Sequence, residues 1–231
     1  MKNLILVVAG LLALCPGPVS AQETARERAR EQLPTQVFER VDALATEIGD
    51  EGIPSGPIFN KALEGMAKRV PPDRLLPAVT QFAGQLRQAR EAFGMTGDGP
   101  LLVAGADALQ RGVGMDLLRR LGQTEEDSPG PSPMAVLVLA DLVEAGVPGD
   151  RALGMVREAL RLRAGDQQML GISAQVRQMM RQGQSPQDAV EQVQRALRRG
   201  RGGGVGPPVP PGSEPVTKAR RQGGNGRGGG I

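Results

Sequence analysis

The chain has 231 residues, 28 Lys and Arg against 25 Asp and Glu, a formal charge of +3, and 39% hydrophobic but only 2% aromatic residues. With Phe38, Phe59, Phe82 and Phe93 as the only aromatics and no Trp, Tyr or His, the hydrophobic stock is Leu, Val, Ala and Met. That stock disfavours sandwiches and barrels, which draw on aromatic and β-branched side chains, and favours packed helices. Thirty-three Gly and 19 Pro limit each helix to a few turns, while the length still supports one sizeable core.

Residues 1–21 read as a secretory signal peptide. Lys2 supplies the charged start, Leu4 to Cys15 a twelve-residue apolar run, and Val19-Ser20-Ala21 a small-residue cleavage site before Gln22. The run is shorter than the roughly 20 residues a spanning helix needs. Lipidation at Cys15 is disfavoured because bulky Leu14 precedes it. Cleavage would remove the only cysteine, leaving a chain without disulfides and without a later segment able to span a membrane. Residues 22–34 are polar, rich in Arg and Glu, and read as a lead-in or frayed helix.

From residue 35 to 199 the apolar residues recur at helical spacing. Val37, Val41, Leu44 and Ile48 form one stripe, and Phe59, Leu63, Met66 and Val70 the next. Leu75, Val79, Phe82, Leu86 and Phe93 follow, with Pro77 predicting a kink or a separate first turn. Met134 to Val143, ten residues interrupted only by Asp141, has the pattern of a central buried helix. Leu153, Val156 and Leu160, then Met169, Ile172, Val176 and Met179, then Val190, Val193 and Leu197 complete the series.

The breaks share a chemistry. Gly52-Ile53-Pro54, Gly112-Val113-Gly114 and Gly146-Val147-Pro148 each place Gly where a helix ends left-handed, followed by an aliphatic residue able to fold back on the last turn. Gly183 precedes Ser185-Pro186, and Ser132-Pro133 precedes the central helix; both are N-cap signatures. Connections this short predict antiparallel neighbours. The expected fold is all-α: a compact array of short antiparallel helices, either an irregular bundle or a degenerate helical-hairpin repeat. Glycines inside helices, at 65, 84, 105, 154 and 171, are expected at close helix crossings.

Residues 200–231 hold twelve Gly and five Pro and are expected to be a disordered tail. Arg201, Lys218, Arg220, Arg221 and Arg227 against Glu214 give it +4, which leaves −2 for residues 22–199 once Lys2 is set aside.

The stock of reactive side chains is small. Without His or Tyr, and with Cys15 inside the leader, the usual near-neutral base and thiolate are missing, and zinc or calcium loops and Walker-type glycine loops are absent from the sequence. No cofactor is implied. Lys61, Glu64 and Lys68 lie at i, i+3 and i+7 on one helix, with Arg74 beyond the following turn. They form either a solvated face, with ion pairs worth about 0.3–0.5 kcal/mol each, or one side of a partner groove. The acidic run Glu125-Glu126-Asp127 reads as a solvated loop.

The run Gly-Ile-Pro-Ser-Gly-Pro-Ile-Phe-Asn-Lys-Ala-Leu-Glu-Gly-Met-Ala-Lys-Arg-Val-Pro-Pro-Asp-Arg-Leu (52–75), with Ala-Asp-Leu-Val-Glu-Ala-Gly-Val-Pro (140–148), resembles uncharacterised exported helical proteins of bacteria with GC-rich genomes. The resemblance implies export and helicity, and no activity. Periplasmic or secreted location is therefore expected. The function expected is a non-catalytic interaction module of the envelope, with an envelope protein or an anionic polymer as partner. Its rivals are a carboxylate-dependent cell-wall glycan hydrolase and weak polyanion adhesion through the tail basic residues. Nucleic acid is disfavoured as a partner because the tail has no aromatic residue to stack on bases.

Overall fold

The computed structural model describes residues 18–94, 98–123 and 130–200, and these form ten helices. Residues 1–17 of the expected signal peptide, the acidic run 125–127 and the tail basic residues Arg201, Lys218, Arg220, Arg221 and Arg227 lie outside the described residues, while residues 18–21 of that expected signal peptide form the start of the first helix. The helices are α1 (Pro18–Gln32), α2 (Thr35–Asp50), α3 (Gly56–Ala67), α4 (Pro72–Phe93), α5 (Gly99–Gln110), α6 (Met115–Gly122), α7 (Pro133–Glu144), α8 (Gly149–Arg161), α9 (Asp166–Arg181) and α10 (Pro186–Arg199). Among the described residues no helix is long and apolar enough to cross a membrane.

The helices stack as successive pairs, or hairpins, in two layers, although α5 and α6 of the third pair make at most marginal contact with each other and each packs on α4. Among odd-numbered helices α1 packs on α3, α5 on α7 and α7 on α9; among even-numbered ones α2 packs on α4, α4 on α6, α6 on α8 and α8 on α10. The first helices of the five hairpins begin at residues 18, 56, 99, 133 and 166, steps of 38, 43, 34 and 33. Successive hairpins run in parallel register, and arginines bridge between them. Arg111 at the end of α5 reaches Asp141 (2.5 Å) and Glu144 (2.5 Å) near the end of α7. Arg87 of α4 reaches Glu47 (2.8 Å) and Glu51 (2.6 Å) of the α2 terminus, and Arg198 of α10 reaches Glu158 of α8 (3.1 Å).

The turns follow from backbone chemistry. Gly52, Gly112, Gly146 and Gly183 all have φ between 75° and 93°, a region open to glycine because it lacks a Cβ. After the first three, the aliphatic residue donates its N–H to the carbonyl five positions back, Ile53 to Ile48, Val113 to Ala108 and Val147 to Leu142, and is buried to 3% exposure or less. Arg69 and Arg163 occupy the same left-handed position, at φ 57° and 55°, with Val70 bonded to Gly65 and Ala164 to Ala159. Val70, expected to end the α3 stripe, is therefore the fold-back residue of a turn. Ser132 and Ser185 cap as expected, accepting from Ala135 N–H and Asp188 N–H at 3.1 Å each. Asp98 caps α5 in the same way, from Leu101 N–H at 2.9 Å.

The core is mostly Leu, Val, Ile and Ala, with Phe59, Phe82, Phe93, Met155 and Met169 among them. As its pattern predicts, α7 is the most enclosed helix: Val136, Val138, Leu139, Ala140 and Leu142 are all at 0% exposure, between α5, α8 and α9. Three expectations need correction. The lead-in of residues 22–34 is part of the packed body: Ala25, Ala29 and Leu33, at helical spacing, are buried on the α3 side, because small side chains let α1 approach closely. Arg26 of α1 also pairs with Asp42 of α2 at 2.6 Å. Pro77 does not detach a first turn; α4 is one helix with Pro77 on its exposed side. Of the intrahelical glycines, Gly65 abuts the Leu75 side chain, and a Cβ on Gly105 would lie 2.8 Å from Ala89 and from Phe93, but Gly84, Gly154 and Gly171 face open space. Those three mark no crossing.

Candidate functional site

Helix α3 packs on α1 and on α4, and α5 on α4 and α7, but α3 and α5 make at most marginal contact with each other. The odd-numbered layer is therefore interrupted between the second and third hairpins. The gap is a groove of about 550 Å³, open along one side. Phe82 of α4, 8% exposed, lies at its base, since α4 alone packs against both walls. Val103 and Ala104 of α5 and Met134 and Leu137 at the start of α7 give the far side an apolar lining; Pro57 and Pro100 stand at the starts of the two walls.

Lys61 and Glu64 of α3 form the near wall. The Lys61 ammonium sits 5.6 Å from the centre of the Phe82 ring, a cation–π distance, and 3.3 Å from a Glu64 oxygen. Lys68 bonds the other Glu64 oxygen from the outer side of the helix. Its hydrogen bond draws the Glu64 carboxyl below its ordinary 4.5; partial burial opposes this and Lys61 adds to it. Of the four residues expected together, Lys61 and Glu64 line the groove. Lys68 supports Glu64 without reaching the lining, and Arg74, in the first turn of α4, is exposed and outside it.

Sequence reasoning passed over the opposite wall. Glu64, Asp107 and Asp141 each stand five residues before the left-handed residue of their turn, at 69, 112 and 146, so the hairpin repeat places one carboxylate at the same level on α3, α5 and α7. Arg111 gathers the last two, at 3.6 Å from Asp107 and 2.5 Å from Asp141, together with Glu144. Burial works against its charge, but the hydrogen bonds it donates to Asp141 and Glu144 outweigh this and raise the Arg111 pKa above its ordinary value. Ser173 of α9, 1% exposed, donates to Asp141 at 3.0 Å, and Arg177 stands 3.4 Å from the same carboxylate. The hydroxyl of Ser173 is thus spent on a structural bond. Among the described residues no three metal-ligating side chains converge.

No family model matches the chain, and neither the curated proteins nor the solved structures yield a match. The chemistry available at the groove is accordingly read from its own residues. An apolar base, a cation held over an aromatic ring, and carboxylates on both walls suit an elongated ligand carrying apolar groups and positive charge.

Proposed function

We propose that the chain is a non-catalytic interaction module, exported to the bacterial envelope by its first 21 residues, which binds an extended polypeptide segment in the groove between α3 and α5. The observation that carries this reading is the gap in the odd-numbered layer, where stacked hairpins leave Phe82, Met134 and Leu137 within reach of a ligand flanked by Glu64 and Asp107. Repeat arrays of helical hairpins bind along such extended concave surfaces. The non-catalytic part of the reading is supported by a sequence without His, Tyr or, after the leader, Cys.

The test uses the purified chain, cross-linked in envelope extract, against two variants. Met134→Arg places a charge in the apolar lining, and Arg74→Ala removes an exposed charge outside it. A specific cross-linked partner lost in Met134→Arg and kept in Arg74→Ala is the expected result. Equal capture by both variants would move the site elsewhere. Release of soluble fragments from purified peptidoglycan would instead establish the glycan-hydrolase reading.

A further inference from the structure

Chain geometry puts one occupant within reach of the groove, the protein's own C-terminal segment. We infer that the groove between α3 and α5 docks the chain's own segment Pro207-Pro208-Val209-Pro210-Pro211, with Lys218, Arg220 and Arg221 beyond it meeting the carboxylates of the α5 wall. The inference rests on the reading of the groove as a polypeptide site and names its resident ligand.

Three observations carry it. The first is where the described chain stops. Arg198 of α10 binds Glu158 near the end of α8, so Gly200 leaves the molecule at the end where α8 turns into α9. Parallel stacking puts the start of α7, with Pro133 and Met134 in the groove lining, at that same end. From α10 across α9 and α7 to α5 is three helix spacings, about 24–30 Å at 8–10 Å each. An extended chain covers about 23 Å from residue 200 to Pro207 and about 36 Å to Pro211 at roughly 3.3 Å per residue. The groove therefore lies within reach of the proline run.

The second is the chemistry of the segment. Four prolines among five residues favour the polyproline II helix before binding, so docking costs less ordering entropy than it would for a general sequence. Prolyl rings and Val209 suit a lining of Phe82, Met134 and Leu137. The third is charge. Residues 201–231 carry +4 and residues 22–199 carry −2. Around the α5 wall, Asp107, Asp141 and Glu144 outnumber Arg111 and Arg177, leaving an excess negative charge beside the groove.

A tail tethered this closely has an effective concentration in the millimolar range. It would keep the groove covered against weak ligands and yield to a tighter one. Selective labelling of methionine methyl groups reads this directly in the intact chain, with Met134 in the groove and Met169, 1% exposed in α9, as the internal reference. Replacing Pro207, Pro208, Pro210 and Pro211 by Ser is expected to shift the Met134 signal and leave Met169 in place. A synthetic peptide of residues 205–216 should return it, and should bind the variant about tenfold more tightly than the intact chain, which competes with its own segment. An unmoved Met134 signal in the Ser variant would overturn the inference. If the peptide still shifted Met134 in that case, the groove would remain a polypeptide site without a resident tail. A Met134 shift that grew with protein concentration would assign the segment to a second copy and overturn the intramolecular assignment.

Discussion

Gly105 and Gly154 are both glycines inside helices and are opposites in physical terms. A methyl group on Gly105 would press within 2.8 Å of Ala89 and Phe93, at the packed junction of α4 and α5; one on Gly154 would meet nothing within 4 Å. Gly105→Ala should therefore destabilise by about 1–2 kcal/mol, the overpacking cost exceeding the helix-propensity gain. Gly154→Ala should stabilise by about 1 kcal/mol, since only propensity changes. Thermal melts followed by circular dichroism should place the two midpoints on opposite sides of the parent, a few degrees away in each direction. The sequence signalled all the intrahelical glycines with one pattern, because propensity measures a residue's cost to its own helix and carries no information on the neighbour it faces. The candidate site divides in the same way. Spacing put Lys61, Glu64 and Lys68 on one helix, and two of them do line the groove. Phe82 and Asp107 were hidden, because a groove wall is made by helices distant in sequence.

At the scale of the element, the stripes from 37 to 93 and from 134 to 197 translated into helices and the glycine turns at 52, 112 and 146 took the predicted left-handed geometry, whereas α5 and α6 had no stripe of their own. The repeat was harder to see. Gly52 and Gly146 look equivalent, yet Gly52 joins two hairpins and Gly146 lies inside one. The counterpart of Gly146 in the second hairpin is Arg69, which adopts φ 57° without being a glycine. The recurring turn geometry thus outlasts the residue that advertises it. A second element-level consequence concerns α10. Glu158 is held by Arg161 (2.8 Å) on its own helix and by Arg198 (3.1 Å) of α10, with its side chain only 11% exposed. The Arg161 hydrogen bond lowers its pKa below the ordinary 4.5, burial opposes this, and Arg198 adds to the lowering. A depressed carboxylate contributes its stabilisation in full above the ordinary value and loses it as pH falls through the depressed one. Amide exchange in α10, after correction for intrinsic rates, should therefore accelerate relative to α7 as the pH falls below about 4.5. In Glu158→Gln that local acid sensitivity should be absent, and persistence of it would remove Glu158 as its cause.

For the whole molecule, the important feature is the order of stacking. Each hairpin leans on the one before and the one after, and α9 and α10 close the series against α7 and α8. In such an array stability is close to a sum of unit and neighbour terms, so resistance to extension is distributed along the chain and does not reside in one knot of contacts. Under tension applied through the C-terminus, the protein should behave as a row of latches. Hairpins of 33 and 34 residues at this end would release in turn, each paying out about 12 nm of contour at roughly 3.5 Å per residue. Optical-trap records should show a staircase that starts with α9 and α10; a single rip of the full length would mean the layers yield as one body. The molecule can thus lose a terminal step under load and still keep the groove between its second and third hairpins intact.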